Sequence, residues 1–229
     1  MKLYGLQKLT LLDYPGHTAC TVFTGGCNFR CPFCHNAALV TEIDHTAVLE
    51  DTEFIHFLEK RKGILDGVCI SGGEPLLQPH ITDFIKAIKK MGLLVKIDTN
   101  GSFPEKLEAL LLTGLLDFVA MDIKNSLEKY AVTAGTAVNT GAIEQSIDLL
   151  LAGKTDYEFR TTVVRQLHTE EDIGKIAARI SGAKAFFLQN FVDSGNLIGE
   201  GFSAHDIETL IRMRTRAAHF VPTVALRGI

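Results

Sequence analysis

Short β-rich runs alternate with longer stretches of helical period along this chain, and that alternation is the tightest limit on its fold. Parallel neighbours need a crossover long enough to hold a helix, so the order predicts βα units around a parallel sheet. The predicted strands cover 17–24, 67–71, 93–98, 116–122, 157–164 and 185–190, with helices over about 50–62, 80–91, 104–113, 140–152 and 169–180. A last helix near 203–219 leads into a strand-like run over 221–226. Gly63 and Gly92 stand where the first two helices should end, as C′ glycines. Thr169 followed by Glu170, Glu171 and Asp172 reads as a capped helix start with acids in its first turn. Six βα units are too few for a closed eight-stranded barrel and suit an open doubly wound sheet or a partial barrel; in both, ligands sit beyond the C-terminal ends of the strands.

The residues best suited to chemistry fall at those ends. Cys27-Asn28-Phe29-Arg30-Cys31-Pro32-Phe33-Cys34 follows the first strand and Ser71-Gly72-Gly73-Glu74-Pro75 the second. Asp98-Thr99-Asn100-Gly101 ends the third, Asp122 and Lys124 the fourth, and Gln189-Asn190 the sixth. One such coincidence would mean little; several together mark a site. The C-x3-C-x2-C spacing lets three thiolates converge, and soft thiolates favour zinc, Cu(I) or an iron–sulfur cluster. Three is an awkward number, because a structural zinc takes four ligands and a four-iron cluster is normally held by four cysteines. A cube held by three leaves one iron open to a substrate. His35, adjacent to Cys34, would complete a zinc set, but zinc ligands are usually spaced further apart and a zinc site leaves Gly-Gly-Glu-Pro unexplained. His35 is read instead as a neighbour that tunes the cluster. His45, His56, His168, His205 and His219 lack paired spacing and are expected to be solvated or capping.

Net charge is −4 and no basic run stands out, which argues against a nucleic-acid binder. Arg212, Arg214 and Arg216 read as a solvated helix end favoured by the dipole. No apolar run reaches the roughly 18 residues of a membrane span, and the N-terminus lacks a signal-peptide pattern, so a cytoplasmic protein off the membrane is expected. Five cysteines is an odd count, which disfavours a disulfide framework. Cys20 and Cys69 sit in strand-like runs and are expected to be small buried hydrophobes.

The constellation resembles the radical S-adenosylmethionine (SAM) enzymes, whose marks are C-x3-C-x2-C with an aromatic before the third cysteine and Gly-Gly-Glu-Pro after strand two. Here these are Cys27, Cys31 and Cys34 with Phe33, and Gly72, Gly73, Glu74 and Pro75. His35-Asn36, Leu12-Asp13-Tyr14-Pro15-Gly16, Asp98-Thr99-Asn100-Gly101 and Met121-Asp122-Ile123-Lys124 are similar to elements of the glycyl radical enzyme activating enzymes. The likeness covers roughly residues 4–190. It implies an α/β partial (β/α)6 barrel, a parallel sheet with outer helices, as one radical SAM domain over 1–229. The core would run over about 17–190, with a C-terminal extension over 203–229 that no motif covers.

The resemblance also implies a [4Fe-4S] cluster on Cys27, Cys31 and Cys34, with SAM's methionine moiety on the open iron. One electron into the C–S bond would yield methionine and a 5′-deoxyadenosyl radical, from a low-potential cluster fed by a flavodoxin or ferredoxin-type donor. Glycine lets backbone approach a ligand closely, so the carbonyls of Gly72 and Gly73, with the Glu74 carboxylate, are read as acceptors for SAM's ammonium. Pro75 would start a helix at its first position. Phe33 would cover the adenine or shield the cluster. Asp98, Thr99 and Asp122 would hold a monovalent cation beside SAM's carboxylate; ribose hydrogen bonding by an Asp or Asn100, or plain turn chemistry, stay open. Arg160, in the fifth strand, would face SAM's carboxylate or an acid such as Asp122, and Lys124 and Asn190 are weaker candidates of the same kind.

The activity implied is abstraction of a hydrogen atom from a backbone glycine of a partner glycyl radical enzyme, with anaerobic ribonucleoside-triphosphate reductase as the favoured partner. A radical SAM enzyme acting on a small molecule and a zinc-stabilised binding module without catalysis are the alternatives.

Overall fold

The computed structural model describes residues 1–46 and 48–229. The chain is α/β, and its residues gather into two compact units. The first comprises Met1–Asn28, Ala38–Thr99 and Glu105–Val119; the second comprises Phe29–Ala37, Asn100–Pro104 and Ala120–Ile229.

The first unit carries strands β1 (Lys2–Thr10), β2 (Ala19–Thr24) and β3 (Leu49–Glu50) and helix α1 (Asp51–Glu59). Strand β4 (Gly67–Gly72), helix α2 (Ile81–Lys90), strand β5 (Leu94–Thr99) and most of helix α3 (Pro104–Leu112) follow. The strand order is β3-β1-β2-β4-β5. Strands β2, β4 and β5 run parallel, while β1 lies antiparallel to both its neighbours. The parallel strands are nearly continuous buried runs, as strands covered on both faces should be. The sequence pattern misses β1 and β3. Most of β1 is at least partly exposed, with only Leu3 and Thr10 buried, so it lacks the apolar run that marks the others.

Helix α1 stops at Glu59 with Lys60 as its cap, three residues short of the predicted end, and Gly63 lies in the turn beyond. Gly92 does follow its helix directly, at φ +80° after the Met91 cap.

Strand β6 (Phe118–Asp122) begins in the first unit and ends in the second. The second unit continues with helices α4 (Tyr130–Ala134) and α5 (Thr140–Leu151), strand β7 (Asp156–Val163) and helix α6 (Glu170–Arg179). It closes with strand β8 (Phe186–Asn190), helix α7 (Ile207–Ala217) and strand β9 (Val224–Arg227). Strands β7, β8 and β9 pair in parallel. Past the end of β6, the Ile123 N–H donates to the Arg160 carbonyl of β7 at 2.8 Å. Thr169 caps α6 in a reciprocal box with Asp172, as predicted. Helix α4 is too short for its period to show in the sequence. Strand β9 is tied down by Arg227, whose two terminal nitrogens each donate to the buried Glu158 carboxylate at 2.9 Å. Among the described residues, no helix is long and apolar enough to cross a membrane.

Candidate active site

In the first unit, the end of β4 is pressed against the segment that leads to Cys27. Gly72 has φ +117°, and a Cβ there would lie 2.4 Å from the backbone N and O of Thr24. A Cβ on Gly73 would lie 1.9 Å from the Gly26 carbonyl oxygen. The Gly73 N–H donates to the Thr24 carbonyl at 2.9 Å and the Glu74 N–H to the Gly26 carbonyl at 2.8 Å. The Gly26 N–H in turn donates to the Leu39 carbonyl at 2.8 Å. The glycine pair is therefore needed by the protein's own backbone, whatever its carbonyls bind.

Pro75 opens a 3₁₀ turn over Pro75–Leu77. Glu74 is buried, and its carboxylate caps that turn, accepting from the Leu76 N–H at 3.0 Å and from the Thr99 hydroxyl at 2.9 Å. Two strand ends, β4 and β5, are joined through this one carboxylate. Asp98 is ion-paired to Lys96, two residues earlier on β5, whose side chain is only 1 % exposed. A lone charge in the run Leu93-Leu94-Val95-Lys96-Ile97 carries the same signal in the sequence as Arg160 does in its strand. Cys20 and Cys69 are buried as expected, and burial pushes the Cys20 thiol up to about 12.

In the second unit, Cys31 is buried and Cys34 half-buried on a loop clamped from several directions. The Arg30 N–H donates to the Ala134 carbonyl at 2.8 Å, the Cys34 N–H to the Cys31 carbonyl at 3.0 Å and the Gly199 N–H to the Pro32 carbonyl at 2.7 Å. Gly135, at φ +67°, lies so close that a Cβ there would be 2.1 Å from the Arg30 carbonyl oxygen. Phe29 meets Tyr130 edge-on at 6.3 Å. The His35 ring stacks on Phe191 and its Nε2 lies 2.8 Å from the Val192 carbonyl. Residues 191–199, which no motif covered, thus hold the cysteine loop.

Phe33 is buried with its ring edge-on to His168 at 6.4 Å. His168 is a correction: it is neither solvated nor capping but 1 % exposed. The Val164 N–H donates to its Nδ1 at 3.1 Å, so the ring proton sits on Nε2 and is donated to the Lys124 carbonyl at 2.7 Å. Burial pushes its pKa below the ordinary value, keeping the ring neutral.

Asp122 accepts from Arg160 Nε–H at 2.8 Å and from Lys124 Nζ at 3.1 Å. Burial would raise its pKa, but the two cations hold the carboxyl well below the usual range. Burial likewise opposes the Lys124 charge, yet the neighbouring Asp122 and the Cys31 sulfur carry its pKa upward. Lys124 therefore feels the cysteine loop directly. Asn100 turns its Oδ1 onto Ser102, accepting from its N–H at 3.0 Å, which is the turn chemistry that sequence left open.

The donor set suits the groups that the sequence implies. Asn190, at the end of β8, keeps its Oδ1 buried with no hydrogen-bond partner among the described residues, the condition in which a bound donor is most useful. The loop's thiols are soft ligands of the kind that hold iron–sulfur clusters. Among the described residues no three His, Cys, Asp or Glu side chains are gathered as a ready-made metal set. Cys27 belongs to the first unit, Cys31 and Cys34 to the second.

Residues 21–181 match the radical SAM superfamily. The chain is 34 % identical over 193 residues to a Methanocaldococcus jannaschii protein described, provisionally, as a glycyl-radical enzyme activating enzyme, covering 82 % of this chain and 78 % of that protein. It is 33 % identical over 129 residues to the pyruvate formate-lyase-activating enzyme of Clostridium pasteurianum, a match over 54 % of this chain and 52 % of the relative. Here the match spans only about half of each protein. Among solved structures, Streptococcus suis SuiB bound to SAM superposes with a TM-score of 0.71 at 16 % identity, over 90 % of this chain and 49 % of that one. A domain of a Bacteroides vulgatus pyruvate-formate lyase-activating enzyme superposes with a TM-score of 0.58 at 16 % identity, over 71 % of this chain and 99 % of that one. These two likenesses speak for the fold alone. By its matched residues and its 34 % identity along most of a relative, the chain belongs to the radical SAM superfamily, within the glycyl-radical enzyme activating enzymes.

Proposed function

We propose that this protein activates a glycyl radical enzyme, anaerobic ribonucleoside-triphosphate reductase in the first instance. The observation that carries the reading is the three-cysteine loop with Gly-Gly-Glu-Pro in a chain with these relatives. A [4Fe-4S] cluster on Cys27, Cys31 and Cys34 with bound SAM would supply a 5′-deoxyadenosyl radical that takes a hydrogen atom from a glycine Cα of the partner. The chain's own residues bind and orient. Gly72 and Gly73 let the β4 end sit against the backbone before Cys27. Asp122 and Lys124 at the end of β6, and Arg160 within β7, present fixed charges. The Asn190 Oδ1 offers an acceptor and Phe33 an apolar wall. Asp98 and Thr99 end β5, and Asn100 follows them in the chain. Electrons would come from a flavodoxin or ferredoxin-type donor in the cytoplasm.

The sequence leaves open a monovalent cation against Asp98, Thr99 and Asp122. The side-chain cations already on both carboxylates, Lys96 on Asp98 and Arg160 with Lys124 on Asp122, weigh against it.

Anaerobic reconstitution with iron and sulfide, then reductant and SAM, tests the reading. The expected result is 5′-deoxyadenosine and methionine, and a glycyl radical resonance only when the reductase is present. Zinc as the bound metal, or intact SAM under strong reductant, would overturn it.

A further inference from the structure

Lys96 is a buried charge at the middle of β5. Lys96 is in register with Cys69 of β4, and its Nζ lies 3.6 Å from the Cys69 sulfur. Its ammonium is ion-paired with Asp98, which shares its strand face because side chains alternate along a strand. The lysine is 1 % exposed and the Asp98 side chain 17 %, so the cation is fed from inside the fold to a carboxylate that still meets solvent. An ammonium taken out of water is costly and persists where a carboxylate compensates it. A lysine in the interior of β5 is thus a fixed, internal cation aimed at one strand-end acid.

We propose that Lys96 is the built-in counter-cation of Asp98, doing the work of a monovalent metal ion, so that this chain binds SAM without one. The inference rests on the reading that Asp98 faces SAM. A metal ion placed on Asp98 would meet an ammonium already in contact with that carboxylate, and like charges at that range repel. Lys96 acts through Asp98, holding its carboxylate fixed in direction, and is a positioning residue. A structural ion pair would affect stability alone; a counter-cation also sets how SAM binding responds to the ions in solution.

The test is SAM affinity of the anaerobic, cluster-loaded protein, measured by calorimetry in potassium chloride and in tetramethylammonium chloride of equal ionic strength. Tetramethylammonium is too bulky to replace a metal ion on a carboxylate. The wild type should bind SAM within about twofold in the two salts. Lys96→Met should bind at least about tenfold more weakly in tetramethylammonium and recover part of that loss in potassium. A wild-type affinity that falls about tenfold without potassium overturns the proposal, and this arm decides the matter even if the variant does not fold. A folded Lys96→Met that matches the wild type in both salts also overturns it, leaving Lys96 a structural pair. A wild type that binds no SAM in either salt overturns the proposed function as well, a result distinct from salt-dependent binding.

Discussion

At the end of β4, Gly72 and Gly73 let backbone touch backbone, whereas at the end of β6 Asp122 is held by the side chains of Arg160 and Lys124. The first corner is defined by what is missing: any Cβ on Gly73 collides with the Gly26 carbonyl. The second is defined by charges that hold one another at 2.8 and 3.1 Å. Backbone contact of this kind has no graded substitute, because the neighbouring chain must move if a single carbon is added. A charge cluster can be weakened in steps, by substitution or by protonation. The glycine corner therefore sets the geometry of the approach to Cys27, and the charged corner tunes what lies beside Cys31.

The sharpest attempt to break that contrast is Gly73→Ala. Gly73 has no positive φ, so its whole cost is the clash, and displacing the Thr24–Gly26 backbone should cost about 3 kcal/mol. In a chain of this size that is a fall in melting temperature of roughly 6–12 °C. Iron loading after reconstitution should fall with it, since Cys27 follows directly. Gly182→Ala supplies the reference: φ is +83° but nothing lies within 4 Å, so only backbone strain of about 1–2 kcal/mol is expected. A Gly73→Ala melting curve no lower than that of Gly182→Ala would show that the corner relaxes.

Removing Arg160 should do less. Breaking a fully buried pair costs about 3–5 kcal/mol, but the Asp122 side chain is 34 % exposed and Lys124 remains, so Arg160→Met should cost about 1–3 kcal/mol. The acid limb carries a second signature. The folded pKa of Asp122 lies below its ordinary 3.8, so its pairing stabilises fully above that value and is lost as pH falls below it. Arg160→Met should show a shallower loss of urea stability than the wild type between pH 4 and 3. Equal slopes would mean that the cations on Asp122 contribute nothing to folding.

The two corners also differ in how readily they can be read from sequence. Glycine marks its own requirement, so Gly72 and Gly73 were visible, as were the buried parallel strands whose apolar runs leave little choice of period. Arg160 is legible as a charge in a buried strand, and Lys96 carries the same mark in β5. Strand β1 was hidden because its exposed face breaks the apolar pattern, and α4 because five residues show no period. The clamp of residues 191–199 on the cysteine loop was hidden for a different reason. The Gly199 N–H meets the Pro32 carbonyl, and His35 meets Phe191, across more than 150 residues of intervening chain. Nothing local marks such a contact.

His168 shows the same limit and allows the finest test of the charged region. Its neutral ring bridges Val164 N–H and the Lys124 carbonyl, so it positions the backbone of a residue whose side chain holds Asp122. Burial dominates its shift; Asp172 partly counters it and His205 adds to it. With the folded pKa below 6.5, the unfolded chain binds more protons in the window beneath that value. Stability should therefore be complete above about pH 6.5 and decline as pH falls towards the folded pKa. His168→Gln keeps a donor and an acceptor without a titrating ring, and should lose this decline while retaining the wild-type response between pH 7 and 8. The measurement is the urea midpoint at pH 7 and pH 5.5, and the effect should be smaller than that of Arg160→Met. If both proteins lose stability in parallel, the titrating group lies elsewhere and His168 is protonated without consequence for the fold.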